Sequence, residues 1–238
     1  MKLQQEDTVS IMTLSVLIAA YNERETIDEI LRKVLREEIV HQVIVVDDGS
    51  TDGTRERLSA WTGMDERITV LCHEVNQGKG ACIRRALTHS TGRITIIQDA
   101  DLEYSPSDYE AVIRPIVMGE SKVVYGSRVL CADNEYPLDW FRVGSFAVTQ
   151  MANLLYGLQL TDEPTCYKAF DTEFLRSLPL SATGFELCPE VTAWTQKRGE
   201  SIVEVPIRYS KRSVEEGKKI RWQDGVFAIW TLLQVRFK

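Results

Sequence analysis

Residues 94–101 read Ile-Thr-Ile-Ile-Gln-Asp-Ala-Asp, and residues 43–50 read Val-Ile-Val-Val-Asp-Asp-Gly-Ser. In each, an apolar-rich run leads into carboxylates, Ile94–Ile97 by way of Gln98 and Val43–Val46 directly. An apolar run without alternation is the pattern of a strand buried on both faces, as in parallel sheets. Outward from these two, residues 14–19 (LSVLIA), 68–72 and 123–125 supply three more such runs. Helical periods lie between them. Ile27, Ile30, Leu31, Val34 and Leu35 share one helix face, with Thr26 placed as its N-cap. A short helix is expected over about 53–61. Another, carrying Ile83, Ala86 and Leu87, follows Asn76-Gln77-Gly78-Lys79-Gly80. Ser105-Pro106 opens a further helix, with Ser at the cap and Pro in the first turn. The alternation predicts an α/β fold: a mostly parallel central sheet with helices on both faces and a ligand crevice at the carboxyl ends of the strands. The second half is less regular. It reads as a helix over 143–161, a loop over 162–168, a helix near 189–197, a strand over 202–208 and, after a charged stretch at 210–221, a final amphipathic helix.

The chain has 238 residues, 44% hydrophobic and 26% charged. That is enough for one domain, or one and a half, burying roughly 70% of its unfolded surface. The apolar fraction excludes disorder as the main state. The net charge of −7 argues against nucleic acid as a partner. The charge is unevenly spread. Residues 197–238 hold ten Lys/Arg against five Asp/Glu, whereas residues 1–196 hold 18 against 30. Five cysteines without a C-x-x-C pair, and three scattered histidines, show no disulfide framework or zinc spacing, so buried thiols in a reducing cytosol are expected. The acidic start MKLQQEDTVS does not read as a secretory leader. The longest charge-free run, 143–161, contains Gln150, Asn153 and Gln159 and reads as a one-faced helix instead of a membrane span.

Asp99-Ala100-Asp101 carries the sharpest chemical signal. In extended chain, residues i and i+2 point the same way, so both carboxylates can face one ligand. Such a pair suits Mg²⁺ or Mn²⁺, hard cations held by one or two carboxylates together with phosphate oxygens and water. Glu103 continues the period as a third oxygen donor. The same residues also fit a plain strand followed by an acidic turn. Asp48 stands where an acidic residue can accept hydrogen bonds from a base or ribose, or where an Asx turn uses Gly49 for positive φ. Arg128 follows Gly126-Ser127 at a strand end. With Arg142, Arg208, Lys211, Arg212, Lys218, Lys219 and Arg221, it is a cationic candidate for holding a diphosphate. No P-loop, no G-x-G-x-x-G after the first strand and no G-x-S-x-G elbow is present, which sets aside those nucleotide and hydrolase sites.

LIAAYNERETI, VIVVDDGSTDGT, NQGKGACIRRAL, IIQDADLEYSPSDY, VYGSR, TDEPTCYKAF and EVPIRYSKRS occur in this order. Together they resemble the inverting glycosyltransferases of family 2, in the dolichol-phosphate mannosyltransferase-like branch. That branch moves one sugar from a nucleotide-sugar to a polyprenyl phosphate. The resemblance runs from about Ser15 to Arg221 and implies a Rossmann-like GT-A fold. It implies one GT-A domain over 1–238: a nucleotide-binding half at about 13–128, an acceptor half with a basic loop at about 129–221, and an amphipathic C-terminal helix at about 222–238. It also implies that Ala20, Tyr21, Glu23, Val46 and Asp48 hold the nucleotide-sugar together with Asp99, Ala100, Asp101, Arg128, Arg212 and Lys218. The metal motif falls on Asp99 and Asp101, with Glu103 as a further ligand. Arg128 and Arg142 fall where the acceptor phosphate is held, and Arg212 and Lys218 on a loop that closes over the donor. Asp101, Arg128, Arg212 and Lys218 are the implied catalytic set. Two positions depart from the family pattern: Ala20 replaces a usual Pro, and Cys188 stands where Glu is frequent.

The implied reaction is a single inverting displacement at the anomeric carbon, with a GDP-mannose or UDP-glucose type donor. A phosphate acceptor is already ionised at neutral pH, since its second pKa is about 6, so it needs positioning and no general base. A hydroxyl acceptor would need one, and Glu186 or Glu190 would then serve. The alternatives are a family 2 enzyme of cell-surface polysaccharide synthesis, a sugar-phosphate nucleotidyltransferase, and a non-catalytic nucleotide-sugar-binding subunit. The expected location is cytoplasmic, peripheral at the cytosolic membrane face, reached through the basic segment and the amphipathic end or through a membrane-anchored partner.

Overall fold

The computed structural model describes residues 13–134, 140–211 and 222–238. Its strands are β1 (Leu14–Ala20), β2 (Val40–Asp48), β3 (Ile68–His73), β4 (Ile94–Asp99), β5 (Val123–Ser127), β6 (Lys168–Asp171) and β7 (Ile202–Pro206). They form one sheet in the order β3-β2-β1-β4-β6-β5-β7. Every neighbouring pair is parallel except those of β6, which runs antiparallel to both β4 and β5. Residue 168 was expected to close a loop, and it opens this strand instead. At four residues, Lys-Ala-Phe-Asp is too short to show a strand period; its pairing is supplied by β4 and β5 on either side.

The helices are α1 (Ile27–Arg36), α2 (Thr54–Trp61), α3 (Lys79–His89), α4 (Tyr109–Val117), α5 (Trp140–Tyr156), α6 (Thr172–Ser177), α7 (Leu187–Lys197) and α8 (Trp222–Phe237). Alternate residues of the buried strands face opposite ways. Val16 and Ile18 therefore pack with Ile30 and Leu31 of α1, Leu58 of α2 and Ile113 of α4. Leu17, Ile44 and Val46 pack with Ile83 and Ala86 of α3 and Val191 of α7. Each fully buried aliphatic side chain contributes about 1.5–3 kcal/mol by leaving water. Two cores, one on each face of the sheet, thus explain the apolar-rich runs. A third, smaller core joins α5, α7 and α8 through Val148, Ala152, Ala193, Ala228, Leu232 and Val235.

Local signals were met with adjustments. Thr26 makes no cap bond to the helix; its hydroxyl donates to Glu23 Oε2 at 2.8 Å. Ser105-Pro106 leads into a 3₁₀ turn, Pro106–Asp108, before α4 begins. α5 starts and ends earlier than the charge-free run, closing before Gly157, whose φ is +66°. β7 ends at Pro206, two residues short of the expected 208, and one further bond, from the Ile207 N–H to the Ser127 carbonyl at 3.2 Å, follows it. No described helix is long and apolar enough to cross a membrane. The five cysteines are free thiols, and Cys82, Cys166 and Cys188 are buried.

Candidate active site

A cavity of about 650 Å³ opens at the carboxyl ends of β1, β2, β4 and β5. Ala20, Tyr21 and Glu23 line it from the end of β1, and Asp48 from β2. Asp99, Ala100, Asp101 and Glu103 line it from β4, and Arg128 from β5. Neighbouring parallel strands in register end at the same level, so residues far apart in the chain arrive on one wall.

The first two turns are laced together. Ser50 Oγ accepts the Asn22 N–H at 3.0 Å, Thr54 Oγ1 accepts that of Glu23 at 2.8 Å, and Asp52 accepts that of Arg24 at 3.1 Å. Asn22 Oδ1 accepts the Thr51 N–H at 2.9 Å and takes a φ of +51°, rare for a non-glycine residue. The polar residues of Asp-Gly-Ser-Thr-Asp-Gly-Thr thereby shape the turn that carries Tyr21 and Glu23.

Asp48 fastens a second loop. Its Oδ1 lies 2.8 Å from His73 Nδ1 and accepts the Gln77 N–H at 2.9 Å; its Oδ2 accepts the Gly78 N–H at 2.8 Å. Burial alone would raise its carboxyl, but these bonds outweigh burial and hold it below the usual range. Cys82 joins the group, with Asp48, His73 and Cys82 offering ligand atoms within 4.8 Å of one another. Burial pushes the Cys82 thiol far up, which keeps it protonated. The cluster is a hydrogen-bonded clasp for the start of α3.

Lys79, at the first position of α3, places its ammonium against Asp99 and 3.0 Å from Cys166 Sγ. Burial raises the Asp99 carboxyl and the Lys79 charge lowers it, with the net effect downward. Asp101 Oδ1 accepts the Glu103 N–H at 3.1 Å, bending the chain just past β4. The beginning of the basic segment is pinned to this bend. Ser210 N–H donates to the Glu103 carbonyl at 2.9 Å, Tyr104 and Tyr209 pair as an antiparallel bridge, and Arg208 Nε meets Asp108 Oδ1 at 2.9 Å.

Arg128 is buried, and the Tyr209 ring centroid lies 5.2 Å from its guanidinium carbon. Both oxygens of Asp162 hold it. Of the other residues named from the sequence, Val46 is a fully buried core side chain, so it offers the cavity no side-chain contact. Arg142 lies on α5 and is not part of the cavity lining. Arg212 and Lys218 lie outside the described residues. Lys79, Asp162 and Tyr209 were not singled out from the sequence. The only linear hint was that each sits inside a quoted motif.

Residues 15–178 match the family model of Glycosyl transferase family 2. The chain belongs to that family. Among curated relatives, an uncharacterized protein of Methanocaldococcus jannaschii is 30% identical over 86% of this chain and 85% of its own. The UDP-N-acetylglucosamine–dolichyl-phosphate N-acetylglucosaminyltransferase of Methanococcus voltae is 28% identical over 86% and 89%. The undecaprenyl-phosphate mannosyltransferase of Micrococcus luteus is 26% identical over 94% and 99%. Among solved structures, glucosyl-3-phosphoglycerate synthase of Mycobacterium tuberculosis in complex with Mn²⁺, UDP and phosphoglyceric acid superposes with a TM-score of 0.73. It is 23% identical, over 99% of this chain and 82% of that one. The fold of this family 2 glycosyltransferase is therefore the GT-A fold.

Proposed function

We propose that this enzyme moves a single hexose from a nucleotide-sugar of the GDP-mannose or UDP-glucose type to a polyprenyl (dolichyl or undecaprenyl) phosphate, inverting the anomeric carbon. The observation that carries this reading is a cavity that brings Asp99, Asp101 and Glu103 of the β4 wall together with Asp48 and the clamped Arg128. Two relatives that align over most of this chain are named for transfer to dolichyl and undecaprenyl phosphate. In this reading Ala20, Tyr21, Glu23, Asp48 and the Val46 main chain bind the nucleotide. Arg128 orients the acceptor phosphate, with Arg142 as a second arginine. Arg212 and Lys218 grip the donor diphosphate.

By donor chemistry the β4 wall suits a hard divalent cation. Asp99, Asp101 and Glu103 all line the cavity and offer carboxylate oxygens only; Asp99 is paired with Lys79, and the three do not gather within 4.8 Å of one another as Asp48, His73 and Cys82 do. These residues would hold Mg²⁺ or Mn²⁺, which supplies charge stabilisation to the departing nucleoside diphosphate.

The candidate bases for a hydroxyl acceptor are both occupied. Glu190 accepts the N–H groups of Ser181 and Ala182 and the Ser181 hydroxyl. Glu186 accepts the N–H groups of Thr183 and Gly184. Both carboxylates serve the 181–184 backbone, and neither lines the cavity. An acceptor that arrives already ionised suits such a site. The deciding experiment incubates the enzyme with a panel of nucleotide-sugars, Mn²⁺ and a polyprenyl phosphate, and reads the lipid product by mass spectrometry. A monoglycosylated lipid phosphate is expected. Transfer only to a sugar hydroxyl overturns the reading.

A further inference from the structure

Asp48, His73 and Cys82 come from three elements: the last residue of β2, the last residue of β3 and the first turn of α3. Separations of 25 and 9 residues give them no linear metal signature. Parallel pairing sets Asp48 beside His73 on adjacent strands. The bonds from Asp48 to the Gln77 and Gly78 N–H groups then bring the start of α3 onto both. His73 Nδ1 lies 2.8 Å from Asp48 Oδ1 and 3.8 Å from Cys82 Sγ. One ligand atom from each residue falls within 4.8 Å of the other two. A tetrahedral zinc ion with bonds of about 2.0–2.3 Å sets its ligand atoms roughly 3.3–3.6 Å apart. The two observed distances to the imidazole bracket that spacing.

We propose that Asp48, His73 and Cys82 form a binding site for Zn²⁺ or a like thiophilic dication, separate from the hard-cation wall of β4. A carboxylate, an imidazole and a thiol are a borderline-soft donor set, the choice of Zn²⁺ and Co²⁺ and a poor one for Mg²⁺ or Mn²⁺. The three side chains are 3%, 5% and 0% exposed, so an ion among them must have its charge neutralised. One carboxylate and one thiolate do so for a dication, and the imidazole adds no charge. Without the ion, burial keeps the Cys82 thiol protonated. A coordinating thiol gives up its proton outright, because the ion is then the largest charge in the site. That proton leaves to solvent, one for each ion bound. Asp48 also lines the cavity, which gives the ion a way in. One consequence rests on the reading of Asp48 as a nucleotide ligand. Zinc that draws on the Asp48 carboxylate opposes the nucleotide, and by linkage the nucleotide opposes zinc equally.

The test uses the whole chain, reduced and stripped with a chelator, and titrates it with Co²⁺ as the spectroscopic substitute for Zn²⁺. A thiolate-to-cobalt charge-transfer band in the near ultraviolet is expected, with the intense visible bands of a tetrahedral ion. Added Zn²⁺ should bleach both by displacement, and a large excess of Mg²⁺ should leave them in place. Cys82→Ser is expected to abolish the charge-transfer band and to weaken Zn²⁺ binding at least tenfold. His73→Gln, which can still donate an N–H to Asp48, is expected to weaken it at least tenfold while keeping its circular dichroism. Wild-type protein without the charge-transfer band overturns the inference. So does a band that survives Cys82→Ser, since another of the five thiols then supplies it, or Zn²⁺ affinity untouched by His73→Gln. Zn²⁺ is further expected to weaken nucleoside diphosphate binding to the wild type at least tenfold, and not to Cys82→Ser. A cobalt site with its band but no effect on the nucleotide defeats the assignment of Asp48 to the nucleotide instead, because the spectrum is read with no nucleotide present.

Discussion

Asp162 holds Arg128 with both carboxylate oxygens: Arg128 Nε donates to Oδ2 and Nη2 to Oδ1, each at 2.7 Å, and the Arg128 main-chain N–H also reaches Oδ2 at 3.0 Å. A planar guanidinium gripped in this way cannot swing, so it arrives at the cavity wall already aimed. Glu204 supports the grip by accepting the N–H groups of Thr161 at 2.7 Å and Asp162 at 3.0 Å. Removing Asp162 takes from a buried arginine its bidentate carboxylate partner. Asp162→Ala is therefore expected to cost about 3–5 kcal/mol of stability and to lower kcat/KM, as read by denaturant titration and steady-state transfer assays. Full activity in a folded Asp162→Ala variant would show that Arg128 works without its clamp.

Asp162 and Asp48 are two of the buried carboxylates that make the fold acid-sensitive. Burial by itself would raise both carboxyls. Arg128 outweighs burial at Asp162, and His73 with the Gln77 and Gly78 N–H groups does so at Asp48, leaving both below the usual range. A lowered folded-state value contributes stability that is present above the unfolded value, about 3.9, and is lost as pH falls through the folded value. The unfolding free energy should hold from neutrality to about pH 5 and decline below about pH 4. Asp162→Asn should flatten that decline, measured by denaturation at a series of pH values.

Glu163 works in the opposite sense. Burial lifts its carboxyl, and Lys168, 3.9 Å away, does not restore it. Its neutral form is favoured, so its contribution is present at low pH and fades as pH rises through the folded value. Glu163→Gln retains an acceptor for the Thr192 hydroxyl, now 2.7 Å from Oε1. It should gain stability relative to the wild type at pH 8 but not at pH 4, and equal effects at both values would count against this assignment.

Gly80→Ala tests the contact between α3 and the 181–184 turn. A Cβ at position 80 would stand 2.6 Å from the Ala182 carbonyl oxygen. Overpacking against backbone costs about 1–3 kcal/mol. Gly78→Ala should cost more, because it would meet the Thr183 carbonyl and must also adopt a φ of +96°. Both should weaken nucleotide-sugar binding, since Asp48 clasps the Gln77 and Gly78 N–H groups at the start of α3; thermal melts with and without donor would measure the two effects separately.

Asp101→Asn should leave the fold intact, since Asp101 is only half-buried, and lower transfer by about a hundredfold or more. Mn²⁺ affinity, followed by electron paramagnetic resonance, should fall with it. Unchanged Mn²⁺ binding would remove Asp101 from the metal wall.

The amino-acid sequence by itself determined the α/β class, the strand ends that face the cavity and the helix faces that cover the sheet. Those features come from local periodicity, which each segment carries on its own. It also showed Asp48, Asp99, Asp101 and Arg128 as strand-end residues, because a carboxylate or arginine after an apolar run stands out along the chain. The partners of these residues depended on closure in three dimensions. Lys79 is 20 residues from Asp99, Asp162 is 34 from Arg128, and Asp108 is 100 from Arg208. β6 gains its place only between two strands already laid down, and Glu186 and Glu190 look like free bases until the 181–184 turn is folded onto them. The outward arcs of α5 and α8 are a tertiary result as well. The chain reads the stretch at 143–161 as a one-faced helix and the last helix as amphipathic, and only the inward packing of Val148, Ala152, Ala228 and Leu232 shows which of their apolar residues are left facing out.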